Sequence, residues 1–302
     1  MSKFEKVTED TKAFVFQTKE IANKHRIKAK QEIKNYFKKL FKILKRNEMS
    51  ILPGQLAFSL VLSFFPLLSI VGVICSFFSL SLSDMLDFMM GVLPTDVFNL
   101  LKSSLEAQIS GVNILYILLG IFLASNGLRS VISSCNTLYN LKNKNDAFRW
   151  IKAVFLTIIL MFFIMTVLII LAFGDTIFKF IMGLFEENII TQKIYFVFKL
   201  GKWPIAIFII YNLVKIIYIL APDRKVTNKF ARRGAIFTTI GWILVTGVYS
   251  FYANNIANYN LFYGNISNII ILMTWVYIIS YIFVIGIGIN ANDYLEEINN
   301  DN

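Results

Sequence analysis

The residues best placed to do chemistry are concentrated in one stretch, SNGLRSVISSCNTLYN at residues 125–140. At about 100° per residue of an α-helix, its polar side chains fall within about one third of the helix circumference. They are Asn126, Arg129, Ser130, Ser133, Asn136, Thr137 and Asn140. Arg129 stands out, because a cation inside a membrane is costly and needs a partner. The stripe predicts a surface that faces a water-filled cavity or the interior of a helix bundle, where Arg129 would attract an anionic group.

A second small, polar patch lies near the other end of the chain, at Gly286, Gly288 and Asn290. We take five residues as candidate cavity-lining residues: Asn126, Arg129, Ser133, Asn136 and Asn290. The alternative is that Arg129 extends to a nearby membrane surface while the Asn and Ser side chains join neighbouring helices.

Several reaction types are disfavoured by the residues that are missing. The chain has one His, His25, and lacks metal-hydrolase spacings, a Walker loop, a GxSxG elbow and a dinucleotide fingerprint. No carboxylate lies clearly within an apolar segment, so the usual acidic proton relay is also missing. We therefore expect no enzyme activity, with no catalytic residue, metal site or cofactor. Cys75 and Cys135 are expected to be buried free thiols.

Long apolar segments must position these residues. Six of them occur, at about 55–80, 113–138, 150–173, 203–221, 234–253 and 266–290. Each approaches or exceeds the roughly 20 residues that a membrane-spanning helix needs, and each is too long and too continuously apolar for a barrel strand. The fold class is therefore all-α, a polytopic bundle of six transmembrane helices with interfacial amphipathic helices.

The basic residues predict how the chain is threaded. Nearly half of the 30 Lys and Arg precede residue 51, and the connections after spans two and four are also basic. Basic connections stay on the cytoplasmic side, so both termini are predicted to be cytoplasmic. The connection at 174–202 carries four Lys and is the weakest part of this prediction.

Three regions follow from this division: a basic N-terminal region at 1–50, the membrane domain at 51–292 and an acidic tail at 293–302. Within the first, residues 31–47 predict a basic amphipathic helix with an apolar stripe of Ile33, Tyr36, Phe37, Leu40, Phe41 and Leu44. Such a helix either lies on the inner membrane surface, near anionic headgroups, or packs on the ends of the bundle. We expect membrane lipids as partners and no nucleic acid.

Other features shape individual spans. Pro66 predicts a kink in span one, and Trp203-Pro204 is predicted to open span four. Segments 84–92, 95–109 and 176–189 are expected to be amphipathic helices on the outer side. Span three is expected to lie at the periphery of the bundle or to face lipid. Gly234 and Gly241 lie seven residues apart, on one helix face, and predict close helix approach.

Four stretches resemble the YihY/BrkB family of bacterial inner-membrane proteins across about residues 40–292. They are LAFSLVLSFFPLLSI, ASNGLRSVISSCNTLYN, YILAPDRKVTNKFARRGAIFTTIGW and NLFYGNISNIIILMTWVYIISYIFVIGIGINA. The resemblance implies a six-span protein of the inner membrane with cytoplasmic termini. Members of that family have carried labels of a tRNA-processing ribonuclease, a virulence factor and a lipid exporter. The missing hydrolytic residues argue against the first label.

Three hypotheses for function follow. The first is transport or translocation of a lipid or amphiphile, and the second is a non-transporting scaffold that binds a partner. A ribonuclease ranks last. A hydrated cavity touching Arg129, Asn126 and Asn290 would favour transport, and a filled core would favour the scaffold.

Overall fold

The computed structural model describes residues 34–77, 114–142, 145–171, 189–255 and 267–300, with the isolated residues 28, 30, 31, 90, 98, 102 and 174. A first unit, residues 1–46, contains helix α1 at 34–44. The described residues of the second unit, residues 47–302, contain six long helices. These are α2 (Glu48–Phe77), α3 (Ile114–Leu138), α4 (Asp146–Leu171), α5 (Ile189–Leu220), α6 (Asn228–Asn255) and α7 (Ser267–Asn300).

The protein is a helical membrane protein by the length and hydropathy of these helices. In the part of the chain that the structure describes, five stretches are long and apolar enough to cross a bilayer: Leu118–Leu138, Asp146–Leu171, Phe196–Leu220, Asn228–Asn255 and Ile269–Asn299. The first predicted span corresponds to α2, of which the stretch Glu48–Phe64 is apolar but shorter. Pro66 lies inside α2, and the predicted kink there stays a prediction. The segments 84–92, 95–109 and 176–189 fall almost wholly outside the described residues, so their predicted amphipathic helices do too.

Two helices extend well beyond the apolar segments. The prediction that Trp203-Pro204 opens span four was wrong, because α5 begins at Ile189 and Pro204 lies inside it. Lys193, Lys199 and Lys202 therefore sit on a helix, where long basic side chains can reach a polar surface without a loop. Helix α7 continues to Asn300, and so includes most of the acidic segment that the sequence separated as a tail.

Helices α2 and α3 pack through two glycines of α3. A Cβ atom at Gly120 would lie 2.9 Å from the Cδ1 atom of Ile70, and one at Gly127 would lie 3.0 Å from the Oγ atom of Ser63. Such small residues let membrane helices approach closely, where dispersion forces and not water exclusion hold them together. The contact places α2 antiparallel to α3.

Helices α6 and α7 pack even more closely. A methyl group at Gly234 would overlap the backbone carbonyl of Gly286, and one at Gly241 would lie 2.7 Å from the Cγ2 atom of Ile282. The close approach predicted for the two α6 glycines is therefore confirmed. Next to Gly241, the Trp242 indole of α6 donates a hydrogen bond of 2.9 Å to the Ile279 carbonyl of α7.

Helix α3 ends in a Schellman motif, which fixes where its polar stripe stops. Asn140 adopts a left-handed backbone with φ of 55°. The Leu141 amide donates to the Asn136 carbonyl at 2.8 Å, and the Asn140 amide donates to the Thr137 carbonyl at 3.1 Å. These bonds satisfy carbonyls that a helix end would otherwise leave free. The chain can then turn at once into α4.

Candidate functional site

The structure separates the five candidate residues of the sequence analysis. Asn126 is exposed, Arg129 and Ser133 are half-buried, and Asn136 and Asn290 are fully buried. They therefore do not line one common cavity. They fall into three places: an exposed face of α3, a buried cluster where α3, α4 and the α5–α6 connection meet, and the contact between α6 and α7.

The exposed face of α3 carries Asn126, Arg129 and Ser133, which we call the α3 track. The spacing of four and three residues keeps a set on one face of a helix. Further along the same face towards the start of α3 lie apolar side chains that are also exposed: Leu118, Leu119, Phe122 and Leu123. The face therefore changes from apolar to polar and then to charged over about four helical turns.

Helix α4 completes this surface with Asp146 and Arg149. The Arg149 Nη1 atom donates a hydrogen bond of 3.1 Å to the Ser133 Oγ atom. The Arg149 Nη2 atom contacts the Asp146 carboxylate, which also lies 4.0 Å from the Nη2 atom of Arg129. The Arg149 Nε atom is buried without an acceptor among the described residues. From the sequence, the connection after span two was interpreted only as basic, so the position of Arg149 against Ser133 was missed.

These contacts direct the Arg129 side chain towards the end of the bundle where α3 ends and α4 begins. We call this the basic end, defined by residues 139–142, 145–146 and 221–233. Arg129 stands nine residues before the end of α3, about 14 Å along the helix axis. Its guanidinium nevertheless lies near the first residue of α4. This is the geometry expected of a long cationic side chain that reaches from an apolar segment to a polar surface.

The second place is a buried polar cluster that the sequence analysis missed. Lys152 of α4 donates from its Nζ atom to the Asp223 carboxylate at 2.9 Å and to the carbonyls of Ala221 and Pro222 at 2.8 Å each. Asn136 of α3 donates to the other Asp223 carboxylate oxygen at 2.7 Å and accepts from the Asp223 amide at 2.9 Å. The Asp223 side chain is only 3 % exposed.

The cluster joins α3 and α4 to the α5–α6 connection through one carboxylate. A buried carboxylate needs both a counter-charge and hydrogen bonds to offset its desolvation, and Asp223 has both. Lys152 also meets the carbonyl end of α5, where a cation is favourable. Span three, which contains Lys152, was expected to be peripheral. Its lysine instead joins it to the α5–α6 connection through a buried ion pair. Cys135, adjacent to Asn136, is a buried free thiol as predicted.

The third place, Asn290, belongs to the α6–α7 contact. Its Oδ1 atom accepts a hydrogen bond of 2.7 Å from the Gly234 amide, while its Nδ2 atom is buried without an acceptor among the described residues. Nearby, the Tyr218 hydroxyl of α5 donates to the Phe283 carbonyl at 2.8 Å and lies 2.6 Å from the Thr238 hydroxyl. Asn290 thus joins α7 to α6 and is fully buried, while Tyr218 joins α5 to the same two helices.

The groove between α2 and α7 is apolar. It has a volume of about 300 Å³ and is lined by Gly54, Ala57, Phe58, Val61, Met273, Thr274 and Tyr277. None of the five candidate residues lines it. Its walls would suit a lipid chain better than a polar headgroup.

At the basic end, an aromatic layer covers the bundle. The Tyr139 and Tyr294 rings lie 5.6 Å apart, and the Arg224 guanidinium lies 5.5 Å from the centre of the Tyr294 ring. Burial raises the pKa of the Tyr139 phenol well above its ordinary value, because desolvation disfavours the charged phenolate. Its role is packing.

Comparison with known proteins decides the family. The family model described as "Virulence factor BrkB" matches residues 40–301. The chain belongs to this family. The resemblance inferred from the four sequence stretches is thereby confirmed, and with it the assignment to a membrane protein family.

Two curated proteins are similar to this BrkB-family chain. It is 29% identical over 262 residues to the "Putative ribonuclease-like protein YfkH" of Bacillus subtilis (strain 168), covering 85% of this chain and 94% of that protein. It is 36% identical over 70 residues to a UPF0761 membrane protein of Alteromonas mediterranea, covering 23% of this chain and 24% of that protein. No solved structure matches the chain.

The ribonuclease-like name belongs to the Bacillus protein, and the described residues of this chain add nothing to it. Among them, no three His, Cys, Asp or Glu side chains are grouped so that they could hold a metal ion.

Proposed function

We propose that this BrkB-family protein moves a lipid or other amphiphile across the bacterial cytoplasmic membrane, as a six-span protein with both termini in the cytoplasm. The observation that carries the proposal is the α3 track. Polar and charged side chains on an exposed face of a membrane helix are costly, and they usually mark a path for a polar solute or headgroup. Asn126 is exposed there, next to the exposed apolar residues Phe122 and Leu123 of the same helix.

The packing of the interior supports a path along the surface of the bundle. Within the bundle, hydrogen bonds and an ion pair engage Asn136, Asp223, Lys152 and Tyr218, and the Asn290 Oδ1 atom accepts from the Gly234 amide. A lipid headgroup could instead follow the α3 track while its chains remain in the surrounding bilayer. Such movement needs polar groups at the bundle surface and not an enclosed cavity.

The N-terminal region supports contact with anionic lipid. In α1, Phe37 and Phe41 are each more than half exposed, and Tyr36 and Leu44 are exposed as well. Lys34, Lys38 and Lys42 are exposed on the same helix. An apolar stripe that is left uncovered beside lysines suits a helix that lies in a membrane surface containing anionic headgroups.

The tight interior also favours the second candidate, a scaffold without transport activity. Asn126 lies on an exposed face of α3 and Asn290 in the buried α6–α7 contact, and the scaffold needs no cavity that joins them. Its partner would bind the basic N-terminal region, where the exposed face of α1 is available.

A flux assay separates the two candidates. Purified protein is reconstituted into vesicles that contain a headgroup-labelled phosphatidylglycerol or phosphatidylcholine, and a membrane-impermeant reductant reports which leaflet holds the label. Translocation predicts that the label in the inner leaflet becomes accessible faster than in protein-free vesicles. If folded protein gives the protein-free rate for both lipids and for other amphiphiles, the scaffold is favoured.

A further inference from the structure

The α3–α4 surface at the basic end contains two arginines beside one carboxylate, and one of these arginines also bonds a hydroxyl group. Arg149 bonds Ser133, and Asp146 lies between Arg149 and Arg129. From this geometry we propose that Arg129, Arg149 and Ser133 bind the phosphate of an anionic membrane lipid. The inference deepens the proposed function and rests on it for what happens to the lipid afterwards, but binding itself can be tested alone.

The local charge favours an anion. Two guanidinium groups face one carboxylate, which leaves one positive charge in excess. The Asp146 side chain is 73% exposed, whereas that of Arg149 is 19% exposed. An exposed carboxylate gains little from its ion pairs because water screens them. A phosphate brought in by a lipid could therefore displace Asp146 and keep both arginines paired.

The donors that such a phosphate needs are present. Arg129 is 40% exposed and offers donors beyond its 4.0 Å contact with Asp146. The Arg149 Nε atom is a buried donor without an acceptor among the described residues. Guanidinium groups bind phosphate through paired hydrogen bonds, which are stronger than bonds between neutral groups. The start of α4 at Asp146 adds the positive end of a helix dipole to the same place.

The apolar side chains next to this surface favour a lipid over a soluble phosphate as the ligand. Past Asn126, the exposed face of α3 is apolar at Phe122, Leu119 and Leu118. The Phe122 ring also lies 5.3 Å from the Trp150 ring of α4. A molecule whose phosphate lies at Arg129 would place its chains along these apolar side chains. A phospholipid has the same arrangement, with a charged headgroup at one end and apolar chains beside it.

Asp146 gives the inference its sharpest test, because it competes with the ligand. Removing its charge should strengthen binding, whereas removing either arginine charge should weaken it. Arg232 offers a matched control: it is an exposed arginine of α6 at the same basic end but on another helix. The set is therefore Arg129→Gln, Arg149→Gln, Asp146→Asn and Arg232→Gln.

Delipidated protein in detergent is titrated with phosphatidylglycerol, with phosphatidylcholine of the same chains and with glycerol 3-phosphate, and bound molecules are counted by native mass spectrometry. We expect wild type to prefer phosphatidylglycerol. Loss of a charge-assisted contact predicts about fivefold weaker phosphatidylglycerol binding in Arg129→Gln and in Arg149→Gln. Asp146→Asn should bind more tightly than wild type, and Arg232→Gln should match wild type.

The inference is overturned if neither arginine substitution weakens phosphatidylglycerol binding, or if Asp146→Asn weakens it. Equal binding of glycerol 3-phosphate and phosphatidylglycerol would overturn the lipid assignment.

Thermal unfolding is measured for each variant. If Arg149→Gln unfolds early, Arg129→Gln and Asp146→Asn still decide, because they change exposed side chains. Specific binding without flux would leave the site standing and refute translocation. Flux that is indifferent to all three substitutions, with unaltered binding, would leave translocation standing and refute the site.

Discussion

Lys152 and Asp223 form an ion pair with an Nζ–Oδ1 distance of 2.9 Å, and their side chains are only 17% and 3% exposed. The two residues lie 71 positions apart in the sequence. Together with Asn136, the pair connects α3 and α4 to the turn between α5 and α6. Breaking a buried pair by removing one partner leaves a buried charge, which costs more than the intact pair contributes.

Lys152→Met should therefore destabilise the protein by about 3–5 kcal/mol. The measurement is thermal unfolding in detergent, followed by tryptophan fluorescence. Lys225→Met, at an exposed lysine just beyond the same turn, should leave the unfolding temperature unchanged. The double variant Lys152→Met with Asp223→Asn should recover part of the loss because no unpaired charge remains. Equal unfolding temperatures for wild type and Lys152→Met would contradict a stabilising role for the pair.

The α6 glycines should respond to alanine in a graded order. At Gly234 a methyl group overlaps the Gly286 carbonyl, at Gly241 it meets the side chain of Ile282 at 2.7 Å, and at Gly247 nothing lies within 4 Å. Gly234→Ala should cost at least about 1–3 kcal/mol through overpacking. Gly241→Ala should cost less, because a side chain can move, and Gly247→Ala should be neutral or slightly stabilising. Unfolding temperatures check the order, and a loss at Gly247 equal to that at Gly234 would contradict it.

Asn126→Leu should abolish lipid flux without destabilising the fold. Its side chain is exposed, so an apolar replacement costs no packing and suits the membrane, while it interrupts the α3 track. Asn212→Leu is the matched control, because Asn212 lies in α5 and donates to the Phe208 carbonyl of its own helix at 2.7 Å. Flux and unfolding temperature are measured on both. Unchanged flux in Asn126→Leu would place any lipid path elsewhere.

Helix α1 should lie in the membrane surface. Spin labels are attached to cysteines introduced at residues 37, 41, 38 or 42, in a chain whose Cys75 and Cys135 are alanine. In vesicles with anionic lipid, labels replacing Phe37 or Phe41 should be more accessible to oxygen than to a nickel chelate, because oxygen concentrates in hydrocarbon. Labels replacing Lys38 or Lys42 should show the reverse. Low accessibility to both reagents at residues 37 and 41 would instead indicate that α1 packs on protein.

Hydropathy predicted the helices of the membrane domain, because an apolar run of this length has few alternatives to a helix. It failed at the start of α5 and the end of α7, where helices continue through residues such as Lys199 and Glu296. Those residues are polar but are good helix formers, so polarity marked the end of an apolar run and not the end of a helix. Six spans with cytoplasmic termini remain a prediction.

The candidate site was predictable only in part. The helical period identified a polar stripe on α3, but it could not say which side of the stripe faces neighbours, since that depends on packing. Asn136 and Ser133 lie three residues apart and yet have different surroundings: Asn136 is buried against Asp223, and Ser133 is bonded to Arg149 beside the exposed α3 track. Lys152 could not be paired with Asp223 from the sequence, because nothing local links them.

The cluster around Asp223 also has a mechanical consequence. It ties α3 and α4 to the connection that directly follows α5, near the end of α3, the start of α4 and the end of α5. Helices that are joined at one level can still tilt about that level, and their displacement grows with distance from it. The buried ion pair would then act as the pivot of the bundle, and the largest separations between these helices would open at the end far from it.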